Sequence, residues 1–284
     1  MNIVVCLKQV PDTTVVKIDQ KTGTLIRDGV PSIINPEDKH ALEAALCLKE
    51  KHGGKVTVIS MGPPQAKDAL REALCMGADD AILITDRAFG GADTLATSRT
   101  IASAIRNLDY DIIFGGRQAI DGDTAQVGPQ VAEKLSIPQI TYAEEIVDVK
   151  DNTIIVKRRL ERGTEVVQGK LPMLVTVNGS AAPCRPRHAK LTMKYKLAKT
   201  PSEIAEAGLD YTDLLSKKPY LKINELSVAD IDHDPKWLGM SGSPTKVKQI
   251  ESVVFTAKES KRLQPTDAEI DALMKELIVN HTIG

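Results

Sequence analysis

The sequence predicts a doubly wound α/β fold. It has a mostly parallel sheet of the Rossmann-like, adenine nucleotide-binding type, an antiparallel edge extension and a C-terminal arm. Three observations predict it. Short apolar runs alternate with helical patterns through the first 135 residues, the spacing of right-handed crossovers on a parallel sheet. From Ile140 to Asn178 apolar and polar residues alternate instead, the period of strands with one solvated face. From Gly179 the texture changes again, to a basic, proline-containing stretch and then polar connections.

NIVVCLKQV is apolar at nearly every position, as in a strand buried on both faces. VVKIDQKTGTLIRDG reads as a hairpin turning at Lys21-Thr22-Gly23. NPEDKHALEAALCLKEKHGG is a helix with Asn35 as N-cap, Pro36 at its first position and Asp38 in its first turn. The strand KVTVISMG leads to the helix PPQAKDALREALCMGA, and the strand DDAILITD to GGADTLATSRTIASAIRNL. The strand YDIIFGG leads to a helix read over TAQVGPQVAEKL. ITYAEEIVDVKDNTIIVKRRLERGTEVVQGKLPMLVTVN reads as an antiparallel meander with turns at Asp151-Asn152 and Gly163. The domains expected are 1–178, an α/β nucleotide-binding domain with antiparallel edge strands; 179–200, a basic loop; and 201–284, a C-terminal arm. The arm has too little continuous apolar surface for a core of its own and should lie on something else.

The chain has 284 residues, 3% aromatics and a net charge of −1, so the core rests on Val, Ile, Leu and Ala, and the overall charge points to neither nucleic acid nor membrane. No apolar run is long enough for a signal peptide or a spanning helix, which reads as a cytoplasmic protein. Cys6, Cys47, Cys75 and Cys184 form no CxxC pair and no metal-ligand spacing. They read as reduced, mostly buried thiols, and no metal is expected.

In a doubly wound sheet, ligands sit at the carboxyl ends of the strands. Those ends are Cys6-Leu7-Lys8, Ser60-Met61-Gly62, Thr85-Asp86 and Gly115-Gly116. A tight turn explains any one of them; together they favour a planar ligand against the backbone. Neither GxxxxGK[ST] nor GxGxxG occurs. A helix start preceded by DGDT stands in their place, where the N–H groups of Ala125, Gln126 and Val127 can hold a phosphate without a lysine. Thr124 adds a hydroxyl and Arg117 a charge. Asp121 and Asp123 suit a capped turn, or ribose hydroxyls. Such a site binds a nucleotide and does no chemistry on its phosphates. DRAFGGADTLATS is a second strand–Gly–Gly–helix junction: a helix start capped by Asp93, or a second dinucleotide contact.

The basic arm from Arg185 to Lys199 holds one aromatic, Tyr195, so it offers no stacking platform for nucleic acid. It reads as a solvated loop or as a docking element for an acidic protein, with Leu191 and Met193 as anchors. No Ser-His-Asp order, HExxH or paired carboxylates stand out, and His40, His52, His188, His233 and His281 lie in unrelated contexts. There is no candidate catalytic side chain; if the chain belongs to an oxidoreductase, a cofactor carries the chemistry.

The segments VVCLKQVPDT, INPEDKHALEAAL, VISMGPPQA, LREALCMGADDAIL, GGRQAIDGDTAQVGPQVAEKL and LPMLVTVN, followed by the basic arm, resemble the beta subunit of electron-transfer flavoproteins in collinear order. The resemblance implies a heterodimer with an alpha subunit and a nucleotide, FAD or AMP, held here. Carried over by position, that nucleotide meets Cys6, Asn35, Pro36, Glu37, Asp38, Met61, Gly116, Arg117, Gln118, Ala119, Ile120, Asp121, Gly122, Asp123, Thr124, Ala125, Gln126 and Val127. The arm resembles the family's recognition loop, with Arg187, Leu191, Met193 and Lys194 docking the partner dehydrogenase. DRAFGGADTLATS and AIDGDTAQVGP resemble the electron-bifurcating branch. There NADH, the substrate, reduces an FAD in this subunit; one electron goes to ferredoxin and the other, through the alpha-subunit FAD, to an acyl- or enoyl-CoA reductase or a lactate-type dehydrogenase. Gly90, Gly91, Ala92, Asp93 and Thr94 would then contact NADH. GMSGSPTKV is also similar to the bifurcating relatives, where it helps hold the mobile flavin domain of the partner subunit. Two alternatives stay open: a non-bifurcating beta subunit that holds AMP and shuttles electrons from dehydrogenases, and a non-redox nucleotide-binding sensor.

Overall fold

The computed structural model describes residues 1–12, 17–18, 25–26, 31–245, 260 and 262–283. The chain divides into two compact units, Met1–Val16 with Arg27–Lys248, and Lys17–Ile26 with Gln249–Gly284. In the second, β3 (Lys17–Ile18) and β4 (Leu25–Ile26) pair antiparallel, as the hairpin reading requires; its turn lies outside the described residues. The helix α8 (Asp267–Val279) also belongs to this unit.

The first unit is built on four parallel strands: β1 (Asn2–Cys6), β6 (Lys55–Met61), β7 (Asp80–Ile84) and β8 (Ile112–Gly116). Between β1 and β6 lie the short antiparallel pair β2 (Gln9–Pro11) and β5 (Ser32–Ile34), then α1 (Pro36–His52). The helix α2 (Lys67–Met76) precedes β7, α3 (Thr94–Arg106) precedes β8, and α4 (Val127–Leu135) follows β8. Then come β9 (Gln139–Lys150), β10 (Thr153–Leu160), β11 (Gly163–Lys170) and β12 (Met173–Val177). The sheet order is β11-β10-β9-β12-β8-β1-β6-β7-β13, where β13 is Asn224–Leu226.

Side chains alternate across this sheet as its pleat demands. Ile3, Val5, Val58, Ile112 and Phe114 join one buried cluster with Leu42 and Leu70 of α1 and α2. Val4, Ile59, Ile113 and Ile84 join the other with Ile101, Ile105 and Val131 of α3 and α4. From β1 the chain first builds outward through β6 and β7. It then crosses back by α3 to pair β8 on the other side of β1. The crevice between the carboxyl ends of β1 and β8 is therefore a topological switch point.

Several sequence expectations change. β9, β10 and β11 form the expected antiparallel meander, but LPMLVTVN does not continue it. β12 lies parallel between β8 and β9, and all five of its residues are buried, as befits an interior parallel strand. The fourth helix begins at Val127 rather than at Thr124, because Asp123 (φ 49°) and Ala125 (φ 53°) adopt left-handed backbone that a helix cannot contain. Asn35 does not cap α1 through its side chain; that side chain is used elsewhere.

Residues 201–248, read as part of the C-terminal arm, lie in the first unit. β13 pairs parallel with β7, and Leu221, Ile223, Ile231 and Leu238 are buried. The arm Ala189–Tyr195 is helical (α5) and packs on α2, with Tyr195 buried. Short helices α6 (Pro201–Glu206, capped by Thr200) and α7 (Thr212–Lys217) follow.

A Cβ on Gly116 would lie 2.4 Å from Asp38 Oδ1 and 2.7 Å from Asp38 N, whereas one on Gly122 would meet nothing within 4 Å. Gly116→Ala is therefore expected to lower unfolding stability by about 2 kcal/mol or more, and Gly122→Ala to change it by less than about 0.5 kcal/mol. Chemical denaturation measures both; equal stabilities for the two variants would show that the α1 turn yields freely.

Candidate nucleotide site

The entry to α1 ties the two central strand ends together. Asp38 Oδ2 accepts a hydrogen bond from Lys8 N at 2.7 Å and Oδ1 accepts from Gly116 N at 2.9 Å. The carboxyl is 8% exposed, and burial pushes it up to about 7 against the pull of these hydrogen bonds. Burial and the neighbouring Asp38 push the Cys6 thiol up to about 12, so Cys6 lines the strand end as an apolar, unreactive group.

The same turn shapes the loop after β8. Asn35, fully buried, donates from Nδ2 to Gln118 O at 2.8 Å and accepts from Ile120 N at 3.1 Å. Glu37 accepts from Gln118 N at 2.8 Å and holds Arg117 through Nε at 3.2 Å. The Arg117 guanidinium also lies 5.3 Å from the Tyr142 ring centre. Arg117 is thus engaged beside the loop. The cation that reaches the loop is Lys8, whose Nζ pairs with Asp121 at 2.7 Å. Asp123 accepts from Gln118 Nε2 at 2.9 Å, so both acids shape the turn.

Beyond Asp123 the backbone presents donors. The N–H groups of Thr124, Ala125, Gln126, Val127 and Gly128 have no acceptor among the described residues. With left-handed residues at 123 and 125 and a helix start at 127, this run has the make-up of an anion-binding nest.

The GGADT loop joins it. Thr94 Oγ1 donates to Gln126 Oε1 at 2.8 Å, which brings Gly90–Thr94 beside Gly116–Val127 at the carboxyl edge of the sheet. Asp93 caps α3 by accepting from Ala96 N at 3.0 Å. A later segment clamps this loop from behind. Met240 N donates to Gly90 O, Asp93 N donates to Ser243 Oγ, and Thr245 donates to Asp93 Oδ2 from both N and Oγ1. Burial works against ionisation of Asp93, but hydrogen bonds from Thr245 and Ala96 hold it below its ordinary value. Gly91 (φ +69°) is left-handed, and a Cβ there would lie 2.9 Å from Met240 Cε. The left-handed backbone alone favours glycine there. Lys246 and Val247, the end of GMSGSPTKV, lie outside the described residues.

Met61, half-buried against the α3–α4 core, completes the strand ends. The residues expected to dock a partner lie elsewhere. His188 N donates to Cys75 O near the end of α2, so the basic arm lies toward the amino edge of the sheet. Arg185, not singled out from the sequence, anchors it to Glu43 and Glu50. Leu191 packs against the core, whereas Met193 is 71% exposed and Arg187 and Lys194 are exposed. Of the thiols, Cys75 is buried, Cys6 and Cys184 are half-buried and Cys47 is exposed.

Comparison with known proteins decides the lineage. The electron transfer flavoprotein domain matches residues 22–203. The electron transfer flavoprotein subunit beta of Clostridium acetobutylicum is 55% identical over 249 residues, 88% of this chain and 87% of the relative. The chain belongs to the electron transfer flavoprotein family. Within that family it is also 58% identical over 178 residues to the caffeyl-CoA reductase-Etf complex subunit CarD of Acetobacterium woodii, covering 62% of this chain and 68% of the relative. Protein FixA of Azorhizobium caulinodans is 42% identical over 285 residues, 98% of this chain and 94% of the relative. Its similarity within the electron transfer flavoprotein family is thus to beta subunits, and its role is in electron transfer. No helix among the described residues is long and apolar enough to cross a membrane.

Asp38 supplies a pH test of this architecture. Its value is raised from an ordinary ~3.9 to about 7. The native state therefore keeps a proton that the unfolded chain releases, and stability falls as pH rises from ~4 through 7. The difference in unfolding free energy between wild type and Asp38→Asn should change across this window by at most ~4 kcal/mol. Parallel pH profiles for the two would show that Asp38 ionises normally.

Proposed function

We propose that the chain is the beta subunit of a cytoplasmic, heterodimeric electron-transfer flavoprotein of the bifurcating type. It binds FAD, takes electrons from NADH, and sends them to ferredoxin and, through the alpha-subunit FAD, to a flavin-dependent dehydrogenase or reductase. One observation carries this reading. The loop with the free N–H run and the GGADT loop are joined through Thr94 and Gln126, which makes one continuous edge of the two strand–helix junctions that resemble nucleotide contacts. The subunit of a caffeyl-CoA reductase-Etf complex among the relatives supports it.

The residues present fit such a group. Five consecutive free N–H groups, Thr124 to Gly128, suit a diphosphate, and Gly122 faces open space. In this reading Cys6, Met61 and Asn35–Asp38 form the wall, and Gly116–Val127 holds the nucleotide. Gly90–Thr94 orients the nicotinamide. Bound flavin supplies the redox chemistry; no side chain of this subunit does. The protein's part is to hold, orient and exclude water. Arg187, Leu191, Met193 and Lys194 form the docking face for the dehydrogenase.

The heterodimer purified with its alpha subunit should hold two FAD, and NADH should bleach flavin absorbance. One FAD and one AMP per heterodimer would instead mean the single-electron shuttle. A colourless, AMP- or ATP-binding protein would mean a sensor. Met193, being exposed, gives a cleaner docking test than the half-buried Leu191. Met193→Ala should slow transfer to the dehydrogenase by ~10-fold, the scale of one interface anchor, and leave NADH oxidation by an artificial dye unchanged. A slowed dye reaction would remove Met193 from the docking face.

A further inference from the structure

We propose that Lys8 is an exchangeable cation of the nucleotide site: its Nζ, paired here with Asp121, moves to a phosphate of the bound nucleotide. The inference rests on the nucleotide reading above and adds a specificity-determining residue to it.

The site has free N–H donors but lacks a committed side-chain charge. Arg117, which stands in the loop itself, is taken up by Glu37 and Tyr142. Lys8 differs in every respect that matters. Its backbone is fixed on both sides, N to Asp38 and O to Asn35 N at 2.8 Å, so its origin is invariant. Its side chain is 48% exposed and its partner Asp121 is 31% exposed. An ion pair reached by water at both ends holds its members weakly. Thr124, where the free N–H run begins, follows Asp121 across a tight turn in which Asp123 N donates to Ala119 O at 2.9 Å. Lys8 has a long, flexible stem. A phosphate bound on the N–H run brings more negative charge than one carboxylate and outcompetes Asp121 for the ammonium. Asp121 then turns to solvent and no longer opposes the phosphate. The acid next to the nest thus sets a threshold: a ligand without a phosphate does not displace it.

Calorimetric titration of the full-length chain with AMP and with adenosine tests this. Lys8→Gln should weaken AMP binding ~10-fold, the scale of one charge-assisted hydrogen bond, and leave adenosine within about twofold. Lys8→Arg should recover most of the loss. Asp121→Asn should strengthen AMP binding about threefold, because the competing carboxylate is gone. Unchanged AMP affinity in Lys8→Gln overturns the proposal, as does equal loss of both ligands. Asp121→Asn weakening AMP and adenosine alike also overturns it and assigns Asp121 to the ribose. A wild-type chain that binds neither AMP nor FAD overturns the nucleotide reading itself.

Discussion

The position of everything at the carboxyl edge follows from one carboxylate. Asp38 enters from the first turn of α1 and accepts from the backbone at the ends of both β1 and β8. A buried carboxylate is costly unless hydrogen-bonded, and these two N–H groups offset part of that cost without neutralising it. The consequence is geometric. The α1 turn must come close enough to β8 that residue 116 has no room for a side chain. Once Asp38 is fixed, Asn35 and Glu37 on the same turn lie where they take Gln118 N, Gln118 O and Ile120 N. Two loop donors near the sheet, Gln118 N and Ile120 N, are thereby engaged. The longest consecutive run of N–H groups without an acceptor among the described residues of this loop is Thr124 to Gly128.

That arrangement explains why acids sit beside the N–H run. Asp123 accepts from Gln118 and Asp121 from Lys8, so both stabilise a turn whose backbone is left-handed at 123 and 125. Such a turn directs N–H groups outward in a way that regular helix does not. A phosphate-transfer enzyme needs cations fixed on the reacting phosphate. Here the fixed arginine is turned away, and the donors that remain are backbone groups suited to holding. Electron transfer asks for that: a tightly placed cofactor, with the protein contributing position and electrostatics.

Much of the fold was legible because it is periodic. The strand–helix alternation, the meander from β9 to β11, the Asp93 cap and the ends of the first two long helices rest on local patterns, and local patterns survive in sequence. LPMLVTVN carried its own signal, since five consecutive buried positions fit an interior parallel strand better than a meander; its neighbours' alternation masked it. What local pattern could not show at the site has a common cause. Asn35, at the N-cap position, uses its side chain on residues 118 and 120 instead. Arg117 is held by Glu37, and the space beside Gly116 is taken by Asp38. Each depends on a partner about 80 residues away in the chain, brought close where the strand ends meet. Lys8 carried a usable signal: it lies two residues past the end of the first strand, where a doubly wound sheet places its ligands.

The clamp on the GGADT loop sharpens what glycine means here. A Gly-Gly pair between strand and helix invites the inference that a ligand approaches the backbone. At Gly91 the left-handed φ (+69°) strains any other residue and a Cβ would push on Met240, and at Gly239 (φ +52°) a Cβ would collide with Ala88 O. Both glycines serve the contact between these two loops, which Ser243 and Thr245 tie to Asp93. Their presence is no evidence for a nucleotide. The evidence lies in Thr94, whose hydroxyl faces Gln126 and so joins this clamped loop to the free N–H run. A loop stapled on one side and hydrogen-bonded to an anion nest on the other is pre-organised. A ligand binding there would not have to order it, and that entropic cost would already be met by folding.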